Sequence, residues 1–367
     1  VRSSIGEAVL TNGLGAGLFF PYDNHTGASQ LRRQVVALRQ AAVLALGMRW
    51  RRAFPALTQA VAAFCARPYA HRERLIEEPM LRIVVPLLSR VEPCDTGTAR
   101  GLIDALITAL GGDDAGDVHL CRVGGTGIII HRYVVPSLLK RVSPPSYTFP
   151  DRAVVRTRRH AYTLDFFREV CETALSKIHG TWPELHDDLV TYIKRLVHVP
   201  DADFRSCSAV RYAGVVFLSG NDYSLVEVEE SLVHEYGHQI LYNVMEIDPL
   251  LVSPTSPRPY RLPWSGSTRD LYGYFHAFYI YVILACYYAR VATAEGVPRD
   301  ADERAFCHDR HLQIVHGLII ACDDFKPELF TCAGKNLLQQ LIHLVEQMAA
   351  DNPAARQLVS SSPLMIE

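Results

Sequence analysis

Five consecutive residues, His234-Glu235-Tyr236-Gly237-His238, carry the sharpest chemical signal in the chain. They form an HExxH pattern. With 15 histidines among 367 residues, composition alone yields roughly 0.03 such matches. On a helix His234 and His238 are i,i+4 neighbours on one face, and two imidazoles so placed can grip one metal ion. The flanks support a helix: Ser224-x-x-Glu227 is a capping-box pattern, and Val228, Leu232, Tyr236 and Leu241 recur at helical spacing. Two imidazoles alone bind weakly, so a third protein ligand is needed. Glu246 and Asp248 lie just past the helix and would need a sharp turn to return. His308, His311 and His316 fall in a further helical stretch, near Cys307 and Asp309. His276 is the best-placed ligand, because it lies within an uncharged run, 271–289, where a buried imidazole needs a partner and a metal supplies one.

Arg269, Gly273 and His276 fall at i, i+4 and i+7, one face of a continuous helix. Arg269 then lies about 10 Å along the axis from His276. Gly273 removes a side chain between them and leaves room for a small molecule. A dicarboxylate could chelate the metal at one end and meet the guanidinium fork at the other. The plainer alternative pairs Arg269 with Asp270 or a glutamate. An arginine near a helix N-terminus is not favoured by the macrodipole, which argues for a specific anion.

The elements that must position these residues follow from the rest of the chain. Apolar residues make up 49% and charged residues 21%, which is globular usage. The net charge of −2 gives no global drive towards nucleic acid or an anionic membrane. Nine cysteines are scattered without a CxxC, so reduced thiols and a cytoplasmic setting are expected. No secretory signal is expected at the N-terminus. The run 271–289 is long enough to span a bilayer, but its tyrosines and His276 suit the central helix of a large core better.

Helices are expected at 27–66, 72–91 (interrupted by Pro79 and Pro86), 97–110, 163–179 and 184–197, with an extended stretch from 208 to 219. The first carries Arg32, Arg33, Arg39, Arg49, Arg51 and Arg52, a solvated face or a hold for an acidic partner. Gly124-Gly125-Thr126-Gly127 between β-branched runs predicts a hairpin near 117–135 and not a phosphate cradle, which would need a helix to follow. The Gly13, Gly15 and Gly17 run lacks the dinucleotide spacing. Pro144, Pro145 and Pro150 mark a boundary between a mostly helical N-terminal lobe, 1–150, and a metal-binding catalytic lobe, 151–367. The expected fold is mainly α with a small β-sheet (α+β): a helical bundle around the HExxH helix and the buried helix bearing His276.

Together, the strand ending in Phe217-Leu218-Ser219, the helix with Leu232-Val233-His234-Glu235-x-x-His238, and Trp264-x4-Arg269-x-Leu271-x-Gly273-x2-His276 resemble a known family. It is the HExxH-type 2-oxoglutarate-dependent peptide β-hydroxylases that act on ribosomally synthesised natural-product (RiPP) precursors. The resemblance covers about residues 205–295. Ser265 stands where that family commonly has a basic residue, and Asp270 where it commonly has proline. The resemblance implies an Fe(II) dioxygenase, with iron on His234, His238 and His276 and the distal carboxylate of 2-oxoglutarate on Arg269. Three imidazoles leave positions for a bidentate keto acid and O2. The implied substrate is a precursor peptide, hydroxylated at an unactivated side-chain carbon. Glu235 would orient a ligand imidazole or contact the substrate, or serve a plain structural role.

Two other readings compete. A zinc metallopeptidase would use Glu235 as the general base on zinc-bound water. Against it, Leu241 and Val244 stand where the HExxHxxGxxH extension needs Gly and His. A non-catalytic, metal-stabilised peptide-binding module would need a closed four-ligand site, and no fourth ligand is evident.

Overall fold

The computed structural model describes residues 25–111, 121–132, 163–198, 206–210, 213–219, 224–253, 258–294 and 296–358. The Gly13–Gly17 run and the lobe boundary expected at 150 lie outside them. Helix dominates, with one small mixed sheet and a two-stranded hairpin, so the fold is mainly α within the α+β class. Contacts gather the chain into two compact units. One comprises Arg32–Glu172 and Val190–Tyr223; the other comprises Val1–Leu31, Thr173–Leu189 and Ser224–Glu367.

The first unit holds most of α1 (His25–Trp50), then α2 (Pro55–Cys65), α3 (Tyr69–Ile76), α4 (Pro79–Arg90) and α5 (Thr96–Gly111). Pro79 starts α4 as expected, but Pro86 sits inside the helix without ending it. An internal proline costs about 3 kcal/mol. Burial of Leu81, Val84 and Leu88 on the same helix, at ~1.5–3 kcal/mol each, outweighs it. Two of the arginines of α1 are more engaged than a solvated face would be. Half-buried Arg32 pairs with the buried Glu77, and Arg49 donates to the carbonyls of Ser89 and Val91 at the end of α4.

The sheet runs in the order β1-β2-β3-β5-β4, with β1 (Cys121–Arg122), β2 (Ile129–Arg132), β3 (Arg195–His198), β4 (Ser206–Cys207) and β5 (Val215–Leu218). The expected hairpin is present as antiparallel β1 and β2, turned through Gly125 and Gly127 at φ 74° and 75°. The helix expected over 184–197 is a correction. It ends at Tyr192, and β3 follows, parallel to both β2 and β5. A central parallel strand is buried on both faces and shows no alternation, so its apolar run cannot be told from helix by periodicity.

The second unit is helical. It holds the end of α6 (Leu164–Thr181), most of α7 (Pro183–Tyr192), α8 (Leu225–Ile247), the hairpin β6 (Tyr260–Arg261) and β7 (Thr268–Arg269), α9 (Leu271–Thr293), α10 (Ala301–Cys322), α11 (Cys332–Asp351) and α12 (Pro353–Leu358). Among the described residues α9 alone is long and apolar enough to cross a bilayer, and 72% of that stretch is buried inside the protein. It is the core helix of the unit. Two buried ion pairs tie its surroundings together. Arg299 meets Glu229, which also accepts from Tyr287, and Arg310 meets Glu230 at 2.7 Å, which also accepts from Tyr288. Each glutamate of α8 thus joins α9 to a cation on or beside α10.

Candidate metal centre

Helix α8 begins where its sequence says it should. The Ser224 hydroxyl accepts from the Glu227 N–H, and the Glu227 carboxylate accepts from the Ser224 N–H at 2.9 Å. From 231 to 244 every position on this helix is buried except His234, His238 and Tyr242. That is one stripe at i, i+4 and i+8. On α9, positions 271–288 are buried except Tyr272, Gly273, Ala277 and Tyr281. The two stripes meet. The His238 ring lies 5.8 Å from His276, Tyr242 lies 5.6 Å from His276, and His234 lies 6.0 Å from Tyr281.

Gly237 explains the meeting. A Cβ there would sit 3.1 Å from Ile280 Cγ1 and 3.6 Å from its Cα. The two helices therefore cross at closest approach beside His238, one turn along α9 from His276. Tyr236, inside the same motif, is fully buried and donates to Asp188 on α7 at 3.2 Å.

The arginine is carried differently from expectation. Helix α9 starts at Leu271, and Arg269 is extended in β7, so the three residues do not share a helical face. Asp270 causes this: its carboxylate accepts the Gly273 N–H at 2.7 Å and caps the helix. It is the cap, not the arginine's partner. A Cβ on Gly273 would meet Arg269 Cδ at 3.3 Å. The glycine makes room for the arginine's own side chain, which folds back over the first turn. Arg269 is exposed, its guanidinium makes a long 3.5 Å contact to the Thr268 carbonyl, and no carboxylate among the described residues pairs with it. Trp264 anchors the hairpin. It is buried, stacks on Tyr281 at 4.3 Å, and packs so tightly on Gly317 of α10 that a Cβ there would lie 2.9 Å from its ring.

The electrostatics favour neutral imidazoles. Burial pushes the His276 pKa down to about 3. Burial, with His234 and His276 nearby, holds His238 well below its ordinary value. Neutral histidine is the form that ligates. His238 Nδ1, His276 Nε2 and Glu235 Oε2 are buried without a hydrogen-bond partner among the described residues. Such atoms are costly unless something absent from the protein chain satisfies them. An all-imidazole set suits iron, zinc or another late first-row ion.

The other proposed third ligands are engaged or remote. His311 bonds the Ala285 carbonyl and Asn352, His316 bonds the Ala355 carbonyl, and His308 and Glu246 are exposed. The trio is gathered but not closed. His234 and His238 stand 5.1 Å apart between ring centroids, and the three do not bring all their donor atoms within 4.8 Å of one another. Ligation at about 2.1 Å per nitrogen needs donors no more than about 4.2 Å apart, so the rings would have to turn before the three could share an ion.

No protein-family model and no curated protein matches this chain. Sequence reasoning missed Gly237, Tyr242, Tyr272 and Tyr281. Tyr272 packs tilted against His276, with ring centroids 4.2 Å apart. The glycine inside HExxH was the available signal for a close crossing. The tyrosines could be assigned to the cleft only once the crossing was known.

Proposed function

We propose that the chain is an Fe(II)- and 2-oxoglutarate-dependent oxygenase that hydroxylates an unactivated side-chain carbon of a peptide. The observation that carries this reading is the pairing of neutral imidazoles, whose buried His238 Nδ1 and His276 Nε2 find no partner among the described residues, with an exposed arginine that lacks a carboxylate partner among them, at the strand end that leads into the His276 helix. His234, His238 and His276 would hold the iron, and Arg269 the distal carboxylate of the cosubstrate. Iron with 2-oxoglutarate and O2 supplies oxidation of a C–H bond coupled to decarboxylation of the keto acid. The chain's own part is to bind and orient. Arg269 supplies a bidentate fork for a carboxylate. The rings of Tyr242, Tyr272 and Tyr281 wall the cleft and limit water. Glu235 positions a ligand or the substrate and moves no proton in this reading. The peptide would be a ribosomally made precursor, met in the cytoplasm.

An anaerobic titration of the metal-free protein with Fe(II) and 2-oxoglutarate tests this. A visible charge-transfer band that needs both additions, and is lost in Arg269→Ala, is expected. No band, with zinc retained and peptide-bond cleavage abolished by Glu235→Gln, would move the assignment to a zinc peptidase. Metal binding with neither activity would leave a peptide-binding module.

A further inference from the structure

A second cluster of ligating side chains lies on the helical unit, at the corner where α6 gives way to α7. We propose that His179, His186 and Asp187 form a surface site for a divalent transition-metal ion of the Zn(II) type. Among the described residues this is the one His/Cys/Asp/Glu group whose ligand atoms all lie within 4.8 Å of one another. The inference does not depend on the function proposed for the HExxH cleft.

The corner brings the ligands together. On one continuous helix His179 and His186 would stand about 10 Å apart along the axis. Instead α6 ends at Thr181, Trp182 forms the link, and Pro183 opens α7, where its missing N–H costs nothing. Trp182 is buried, lies 4.0 Å beneath the Arg290 guanidinium, and accepts from the His186 N–H at 3.1 Å. The chain is thus pinned at its bend. The two imidazoles face each other with centroids 4.8 Å apart and planes at 71°.

The distances suit an ion. His186 Nδ1 and Asp187 Oδ1 are 3.2 Å apart. Two donors about 2.1 Å from one metal are about 3.0–3.4 Å apart for octahedral to tetrahedral angles. That pair is already at ligand spacing, and exposed His179 has only to rotate. A plain hydrogen bond accounts for His186 and Asp187, but not for the second imidazole turned edge-on to them. His179 and Asp187 are exposed and His186 is half-buried, so an ion can enter without first desolvating the site, and water fills its remaining positions. The donor set of two imidazoles and a carboxylate suits Zn(II), Co(II) or Ni(II) over Mg(II). A bound ion would cross-link α6 to α7, whose Asp188 holds Tyr236 of the HExxH motif.

The test uses the full chain and Zn(II) alone. Protein dialysed against buffered zinc is assayed for bound metal, comparing wild type with His179→Ala, His186→Ala and Asp187→Asn. Each variant keeps all nine cysteines, so thiol-bound zinc cancels in the difference. Each of the two histidine variants is expected to lose one equivalent, and Asp187→Asn to weaken that equivalent at least tenfold. His276→Ala should lose a different equivalent, so that the double variant His179→Ala/His276→Ala loses two. His179 is exposed, so His179→Ala tests the site even where His186→Ala disturbs the corner. Unchanged zinc content in His179→Ala, with helical circular dichroism intact, would overturn the proposal.

Discussion

At His276 two demands on one side chain coincide. Its burial holds it neutral, and its Nε2 has no hydrogen-bond partner among the described residues. His276→Phe keeps a ring against Tyr272 while removing the ligand nitrogen. Loss of an outer-shell partner already weakens metal binding about 10–100-fold, so loss of a direct ligand should cost at least about 100-fold. Metal analysis after dialysis reads this directly, and full iron retention would remove His276 from the ligand set. Glu235 presents the converse case. Its Oε2 is buried without a partner, so Glu235→Gln removes a buried charge at nearly constant volume. Metal-free protein should then be as stable as the parent or more so. A drop beyond about 2 kcal/mol in urea unfolding would show that the carboxylate is satisfied by a group on the chain. The histidines were legible from type and spacing alone. The isolation of Glu235 was not, because it depends on which helices cover its face of α8.

Between elements, register is set by a small number of contacts. Gly237→Ala presses a methyl group against Ile280 at 3.1 Å from its Cγ1 and 3.6 Å from its Cα. It should cost about 1–3 kcal/mol and weaken metal binding as well, because His238 is carried away from His276. Equal affinity in this variant would mean that the crossing does not set the site. The Glu230–Arg310 pair is buried on both sides. Arg310→Met alone should cost about 3–5 kcal/mol by leaving the buried Glu230 charge without its cation, and adding Glu230→Leu should recover most of it. Additive losses in that cycle would argue against a direct pair.

Helix α10 is clasped to α9 through His311, whose Nδ1–H donates to the Ala285 carbonyl while Nε2 accepts from Asn352. That pattern needs the neutral ring, and burial holds its pKa below 6.5. In acid the unfolded chain therefore binds the proton that the folded one refuses. Stability is full above pH 6.5 and falls as pH drops below it. His311→Gln should flatten that acid slope relative to wild type, read from urea midpoints at successive pH values; identical slopes would remove His311 as a contributor. None of these couplings could be read from the chain alone. Ser224, Glu227 and the 3.6 period announce α8, but Glu229 and Glu230 look like solvated charge until Arg299 and Arg310, about 70 and 80 residues away, are seen to cover them. Likewise Asp270 decided where α9 starts, and a periodic pattern does not weigh a cap.

Across the whole molecule, the mainly helical class follows from periodicity, while the division of the chain does not. Periodicity is local, and the chain leaves and re-enters each unit: 173–189 packs with 224–367, while 190–223 returns to 32–172. A boundary sought in a proline-rich stretch cannot reveal such interleaving. The consequence is testable, since all three proposed iron ligands and Arg269 lie within a single unit. An ion that binds only the folded form stabilises it by RT ln(1 + [L]/Kd), about 2.7 kcal/mol at a hundredfold excess over Kd. Units that open separately would show that gain only where the ion sits. Hydrogen exchange with and without Fe(II), under anaerobic conditions, should slow in α8 and α9 and leave α2, α4 and α5 unchanged. Equal slowing in both sets would make the molecule one cooperative block, and the metal would then act as a clasp on the whole chain. Slowing in neither would mean that the histidines are not held by the ion in the folded state, and the proposed activity would lose its foundation together with the site.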